Sequence, residues 1–201
     1  MPPPVLCFGE ILWDILPHGA FPGGAPFNVA YHLHRLGVPV WPVSAIGSDD
    51  LGRQLLQRLD RWGVSTSAVT QHTSLPTGYV TATLAPSGDA HYAIALDVAW
   101  DRIAVDGAPL AAAAFAPALV FGSLALRSEE NCRSLARLEN MLPSSAWRVF
   151  DVNLRAPHDD LALVRRTASF ANVLKLNAAE AARLADGSNE TPGREEAHAR
   201  Q

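Results

Sequence analysis

Residues 23–30 read Gly-Gly-Ala-Pro-Phe-Asn-Val-Ala, and this stretch decides how the rest of the chain is interpreted. Two adjacent glycines let a backbone approach a neighbouring group closely, because neither carries a Cβ atom. Pro26 suits the first turn of a helix, and the pattern predicts a helix over residues 27–36 that Gly37 ends. Asn28 would then lie in the first turn, where its amide can both donate and accept hydrogen bonds. Such an amide suits a polyhydroxylated ligand, although the stretch alone also fits an ordinary tight turn.

The remainder of the chain alternates between predicted strands and predicted helices. After a first strand at residues 5–9, strands are predicted at 11–16, 41–46, 77–84, 90–96, 119–122, 148–151 and 173–176. A turn at 86–89 would join the strands at 77–84 and 90–96, and helices are predicted at 51–62, 129–142, 161–170 and 178–184. This alternation predicts an α/β fold, a parallel sheet with helices on both faces. Ligands of such sheets gather at the carboxyl ends of the strands, where Asp14, Asp151, Asn153 and Asn177 are expected.

The composition fits one folded domain and excludes several classes of partner. The chain has 201 residues, is 48% hydrophobic and carries a net charge of −4, so no basic surface for nucleic acid or anionic membrane is indicated. The longest apolar run, residues 110–121, is too short to span a bilayer, and no signal peptide is visible. We therefore expect a cytoplasmic protein with no nucleic-acid or membrane partner.

Several enzyme signatures are absent from the sequence. No G-x-G-x-x-G or G-x-x-x-x-G-K-[ST] motif supports a nicotinamide or P-loop enzyme, and no H-E-x-x-H motif supports a metalloprotease. The G-x-S-x-G elbow of an α/β hydrolase is missing as well. An unrelated hydrolase is therefore the last-ranked alternative.

The order of the N-terminal motifs resembles the signature of the PfkB (ribokinase-like) family of carbohydrate kinases, in its fructokinase branch. The motifs are an apolar strand, Gly9-Glu10, Asp14, and residues 23–30 followed by a helix that ends in Leu-Gly. The resemblance implies a ribokinase-like Rossmann-type parallel sheet with helices on both faces and a small β lid. The lid segments would lie near residues 10–22 and 76–98. Such a lid excludes water, and in many relatives it also forms a dimer contact, so a homodimer through the lid is implied.

The resemblance also assigns residues to a sugar site. Asp14 would accept hydrogen bonds from two sugar hydroxyls, because an ionised carboxylate is an acceptor only. Gly23, Gly24 and Asn28 would complete this side of the site. A D-x-N-x-R pattern begins at Asp151, and in it Asn153 and Arg155 would face the reacting end of the sugar or the transferred phosphate. These strand-end residues would equally serve to cap the following loop.

The only lysine of the chain, Lys175, begins a K-x-N-x-x-E pattern that resembles a second family motif. The resemblance implies that Lys175, Asn177 and Glu180 bind the cofactor ATP and that Glu180 contacts Mg²⁺ through water. A structural reading needs no ligand: Asn177 caps the helix and Glu180 reaches back, as in a capping box. The two readings are compatible.

The implied function is ATP-dependent phosphorylation of a small sugar at a primary hydroxyl, with fructose favoured. The family's G-A-G-D-like signature, which supplies a general-base Asp and an anion hole, does not occur before Gln201. The adenine-binding loops and the monovalent-cation site of relatives would also be missing. We therefore expect residues 1–201 to be a partial kinase domain, without the C-terminal part of the fold and inactive alone. The alternative is a non-catalytic sugar-binding or regulatory module.

Overall fold

The computed structural model describes residues 2–84 and 90–186, and β1 (Val5–Phe8) lies in the interior of its larger sheet. The other strands of this sheet are β4 (Val40–Gly47), β5 (Val69–His72), β8 (Ala118–Gly122), β9 (Trp147–Asp151) and β10 (Val173–Lys175). Their spatial order is β10-β9-β8-β1-β4-β5, and all neighbours are parallel. The predicted parallel sheet is therefore confirmed, and β10 forms one of its edges.

Helices cover both faces of this sheet, as the alternation predicts. They are α1 (Ala25–Arg35), α2 (Asp50–Trp62), α3 (Ala108–Ala113), α4 (Glu129–Met141), α5 (Leu161–Ala168) and α6 (Ala178–Asp186). Because side chains alternate along a strand, Leu6 of β1 joins the apolar cluster that includes Leu135 of α4. Its neighbour Cys7 joins the opposite cluster with Ala30 of α1. None of the helices in residues 2–84 and 90–186 is long and apolar enough to cross a membrane.

A second, four-stranded sheet is built from the two segments predicted to form the lid. Its strands are β2 (Leu12–Leu16), β3 (Gly19–Gly23), β6 (Tyr79–Leu84) and β7 (Ala90–Ile94), in the order β3-β2-β6-β7. The pairs β2–β3 and β6–β7 are antiparallel, whereas β2–β6 is parallel. The predicted turn at 86–89 and the polar segment 187–201 lie outside the described residues.

Three elements were not predicted: β3, β5 and α3. The strand β3 contains two glycines and a proline and is mostly exposed, so it lacks an apolar alternation. The strand β5 has only four residues, and α3 has six, within an alanine-rich run that carries no amphipathic period. These elements exist because neighbouring segments pair with them or cover them.

Two polar networks attach the second sheet to the first. Asp49 caps α2 by accepting from the Gly52 N–H, and it also accepts from the Thr77 N–H and hydroxyl just before β6. Arg127 donates to both carboxylate oxygens of Asp101 and to the carbonyl of Ala95, just after β7. The entrance and exit of the β6–β7 hairpin are thereby held against the α/β layer.

Candidate functional site

A cleft of about 910 Å³ opens at the carboxyl ends of the parallel strands, beside the second sheet. The loop after β1, the first turns of α1, the segment after β9 and the last residue of β10 all contribute to it. The polar side chains among the residues that line the cleft are Glu10, Asp14, Asn28, His32, Tyr92, Asp151, Asn153, Arg155 and Lys175. The cleft therefore lies at the carboxyl ends of the strands, where ligands of parallel sheets bind.

Gly24 is the residue that starts α1 and shapes one wall of the cleft. Its φ of 111° and ψ of 128° lie in a region that side-chain-bearing residues rarely adopt. A Cβ atom there would lie only 2.2 Å from the carbonyl oxygen of Glu10. The Asn28 N–H donates to the Gly24 carbonyl at 2.8 Å, which begins the helix. The Asn28 side chain is exposed and faces the cleft.

Gly23 contributes to the site indirectly, because the lack of a side chain at this position leaves room for the Asp14 carboxylate. A Cβ atom at Gly23 would lie 2.0 Å from Asp14 Oδ2, so the carboxylate rests against bare main chain. Partial burial raises the pKa of Asp14. Asp14 and Asn28 line the same cleft, whereas Gly23 is not among its lining residues. The close approach that the two glycines permit is thus to groups of this chain.

Glu10 lines the cleft, although the sequence analysis assigned it no role. It is 2% exposed, and its Oε1 accepts from the Ala25 N–H at 2.9 Å. Burial raises the pKa of Glu10 to about 7, although the Ala25 N–H and the Arg155 guanidinium act in the opposite direction. The available signal was a charged residue placed directly after a fully apolar strand.

The segment after β9 and the end of β10 bring Asn153, Arg155 and Lys175 to the cleft. Asn153 has a left-handed φ of 42°, which asparagine tolerates better than most residues. Arg155 is exposed and donates to the Leu154 carbonyl at 2.9 Å. Lys175 faces the cleft and donates to Asp151 Oδ1 at 2.9 Å. The single lysine therefore forms an ion pair at the ends of adjacent strands β9 and β10.

Asn177 and Glu180 are not among the residues that line this cleft. Glu180 is 5% exposed; its Oε1 accepts from the Leu154 N–H and its Oε2 from the Asn177 N–H, each at 2.9 Å. The Glu180 N–H in turn donates to Asn177 Oδ1 at 2.9 Å. The capping-box reading is thus observed, and Glu180 also ties α6 to the loop between Asn153 and Arg155.

The residues fit Mg²⁺ and a nucleotide phosphate only in part. Both oxygens of Glu180 already accept main-chain N–H groups, so its remaining lone pairs suit a contact through water better than a direct metal bond. Within the described residues no cluster of three or more His, Cys, Asp or Glu side chains could hold a metal. Lys175 and Arg155 supply the positive charge that a phosphate requires.

The architecture defines a Rossmann-type α/β protein with a cleft between a parallel sheet and a small second sheet. The model of the pfkB family of carbohydrate kinases matches residues 19–201, so the chain belongs to that family. Among curated relatives, fructokinase-1 of Oryza sativa subsp. japonica is 32% identical over 167 residues, covering 75% of this chain and 51% of its own length. Fructokinase of Solanum tuberosum is 29% identical over 168 residues, covering 76% and 52%.

Solved structures give the same result for the fold. The sugar kinase PH1459 from Pyrococcus horikoshii superposes with a TM-score of 0.83 at 24% identity, covering 92% of this chain and 66% of its own. A fructokinase with bound ATP from Xylella fastidiosa has a TM-score of 0.82 at 25% identity, covering 92% and 61%. The chain spans about half the length of the curated relatives that it matches.

Proposed function

We propose that the chain is the sugar-binding part of an ATP-dependent carbohydrate kinase that phosphorylates a primary hydroxyl, with fructose as the favoured substrate. The observation that carries the proposal is the convergence of Asp14, Gly24 and Asn28 on one cleft at the strand ends. Membership of the pfkB family supports the chemistry, and the fructokinase relatives support the choice of fructose.

Each residue of this group has a role that its chemistry suits. Asp14 accepts hydrogen bonds from two hydroxyls of the sugar, and its carboxylate is held in place by the bare main chain of Gly23. Asn28 donates to one sugar oxygen and accepts from another hydroxyl. Discrimination follows because a site that hydrogen-bonds hydroxyl groups rejects analogues that lack them.

The residues at the ends of β9 and β10 receive the phosphate. The Arg155 side chain is exposed, and among the described residues its guanidinium donates only to the Leu154 carbonyl. Its forked donors can therefore turn toward an incoming phosphate. Lys175 and Asn177 would assist with the nucleotide phosphates, and Glu180 would contact Mg²⁺ through water. When bound, Mg²⁺ would neutralise phosphate charge. The second sheet excludes water from the reacting groups and offers a surface for a homodimer.

Residues 1–201 alone do not complete this chemistry. The resemblance places the general base and the anion hole in a G-A-G-D-like segment, which this sequence does not contain. Positioning without a base or preorganised donors gives little phosphoryl transfer. We therefore propose sugar binding without turnover for this chain, and transfer for a longer protein of the same family, located in the cytoplasm.

Calorimetry with fructose, ribose and a sugar acid, each with and without ATP and Mg²⁺, tests the proposal. We expect fructose to bind, with Asp14→Asn weakening it, and no ADP to form. Absence of binding by every sugar would refute the proposed site. Binding that never responds to the nucleotide would favour a non-catalytic sugar-binding or regulatory module, and sugar-dependent ADP release would show that residues 1–201 suffice for catalysis.

A further inference from the structure

The two oxygens of the Glu10 carboxyl group have different surroundings. Oε1 accepts from the Ala25 N–H at 2.9 Å, whereas Oε2 is buried and has no hydrogen-bond partner among the described residues. Buried polar atoms are almost always hydrogen-bonded, because an unpaired one loses its water without compensation. An orphaned carboxyl oxygen in the wall of a ligand cleft therefore indicates a partner that arrives with the ligand.

The position of Glu10 distinguishes it from another carboxyl group of the same kind. Glu10 lines the cleft together with Asp14 and Asn28, and the backbone of Gly24 lies directly against it. Glu139 on α4 also has a buried carboxyl oxygen without a partner, but it does not line the cleft. Comparing substitutions of Glu10 and Glu139 therefore separates effects that depend on the cleft from effects of an unpaired carboxyl oxygen.

The protonation of Glu10 restricts the chemistry of the partner. With a pKa near 7, raised by burial, the group exists in both forms at neutral pH. A sugar hydroxyl donates to the carboxylate and accepts from the carboxylic acid, so it fits either form. A phosphate or carboxylate anion would be repelled by the ionised form, and Asp14 and Asp151 line the same cleft.

We propose that Glu10 binds a hydroxyl group of the substrate through Oε2, while the Ala25 N–H fixes Oε1. Oε2 is shielded from solvent in this structure, so the contact requires the groups that cover it to move when the sugar enters. This role rests on the proposed function, because it adds a third polar group to the sugar site of Asp14 and Asn28. It also favours a neutral sugar over a sugar acid at this position.

Calorimetry with fructose and its mono-deoxy analogues tests this role on the wild-type chain, Glu10→Gln, Glu10→Ala and the control Glu139→Gln. On wild type we expect the analogue that lacks the hydroxyl contacted by Glu10 to bind about tenfold more weakly than fructose, and analogues that lack the hydroxyls of Asp14 and Asn28 to bind more weakly as well. On Glu10→Ala that difference shrinks below about threefold, since the contact is already absent. Glu139→Gln keeps the wild-type pattern.

The outcomes separate this role from the proposed function. If wild type binds no sugar, the proposed function fails. If sugars bind but Glu10→Ala weakens every analogue by one common factor, Glu10 only positions the Gly24–Ala25 turn and the role is overturned. Unchanged affinity also overturns it. Glu10→Gln retains an oxygen for the Ala25 N–H and replaces Oε2 by an amide group that only donates. Should the alanine variant fail to fold, a changed ratio between fructose and that one analogue in Glu10→Gln supports the role, and an unchanged ratio overturns it.

Discussion

Two groups of motif residues use similar side chains in opposite ways. In the cleft group (Glu10, Asp14, Gly24 and Asn28), Glu10 Oε2 has no partner, and the side chains of Asp14 and Asn28 form no hydrogen bond with another described residue. In the capping pair (Asn177 and Glu180), three side-chain oxygens accept main-chain N–H groups. The difference teaches that a motif match does not show which atoms remain available to a ligand.

Among all substitutions that test this contrast, we expect the largest effect on the unfolding free energy at Gly24. Gly24→Ala places a Cβ atom against the Glu10 carbonyl at a positive φ, so we expect a loss of about 4 kcal/mol in unfolding free energy. Gly37→Ala is the matched control, because its φ is 79° but nothing lies within 4 Å of the added atom. Urea denaturation of Gly37→Ala should show a loss of only about 1 kcal/mol in unfolding free energy. Equal losses in the two variants would show that the close approach to Glu10 does not matter.

Removal of the capping-pair carboxylate should cost stability more than affinity. Glu180→Ala leaves the Leu154 and Asn177 N–H groups unpaired, so we expect a loss of about 3 kcal/mol. Asn177→Ala removes one acceptor from the Glu180 N–H and should lose about 1 kcal/mol. Urea unfolding and fructose calorimetry on the same samples check this. A Glu180→Ala variant with full stability but weaker fructose binding would contradict the structural role.

The pH dependence of stability tests the burial of Glu10. The folded-state pKa is raised from 4.5 to about 7, so the folded chain holds a proton that the unfolded chain has released. Wild type should therefore lose stability relative to Glu10→Gln as pH rises from about 4.5 to 7, by about 3 kcal/mol in total, and then stay level. Urea midpoints measured at several pH values give this difference. A flat difference would mean that the Ala25 N–H and the Arg155 guanidinium, which both lower the pKa of Glu10, keep the carboxyl group ionised despite its burial.

Substitution of Asp14, unlike that of Gly24, should act on binding and not on folding. Asp14→Asn removes a charged acceptor whose pKa is already raised by burial. We expect fructose affinity to fall about tenfold to a hundredfold with no loss of unfolding free energy. Asp106→Asn is the control, because Asp106 pairs with Arg137 on the surface. Equal fructose affinity in the two variants would remove Asp14 from the sugar site.

The smallest effect is expected at Lys175. In its ion pair with Asp151 the lysine side chain is 65% accessible and the aspartate side chain 16%. Because the lysine lies at the surface, Lys175→Met should cost about 1 kcal/mol of stability or less. Fructose affinity should not change. If the lysine serves the nucleotide, calorimetry with ATP should show a loss of affinity that Arg166→Met, on α5, does not show. Identical ATP affinity in both variants would leave Lys175 as a structural ion pair.

The fold was largely predictable because its signals are local. Apolar runs and the glycine and proline positions of residues 23–30 predicted β1 and α1 to within two residues of their observed bounds. Strands without such signals were missed: β3 is held by pairing with β2, and β5 by pairing with β4. Pairing with a distant segment leaves little trace in four or five residues.

The sequence predicted most of the residues that were proposed for the site and that line the cleft, but not which of their atoms already have hydrogen-bond partners. Asp14, Asn28, Asn153, Arg155 and Lys175 were singled out from the sequence and all line the cleft. Glu10 was given no role, because its burial depends on α1 packing over the loop after β1. The charge state of a carboxyl group depends on such surroundings and not on its neighbours in sequence.

The sequence by itself determined the α/β alternation, the family and the stretch that starts α1, because periodicity and turn chemistry belong to short segments. Only the tertiary structure decided which carboxyl oxygens are satisfied. Glu180 accepts from Leu154, 26 residues away, and Glu10 accepts from Ala25, 15 residues away. Those partners are brought together by packing of the whole sheet, so no local pattern could separate the carboxylate whose two oxygens are both satisfied from the one that keeps a buried oxygen without a partner.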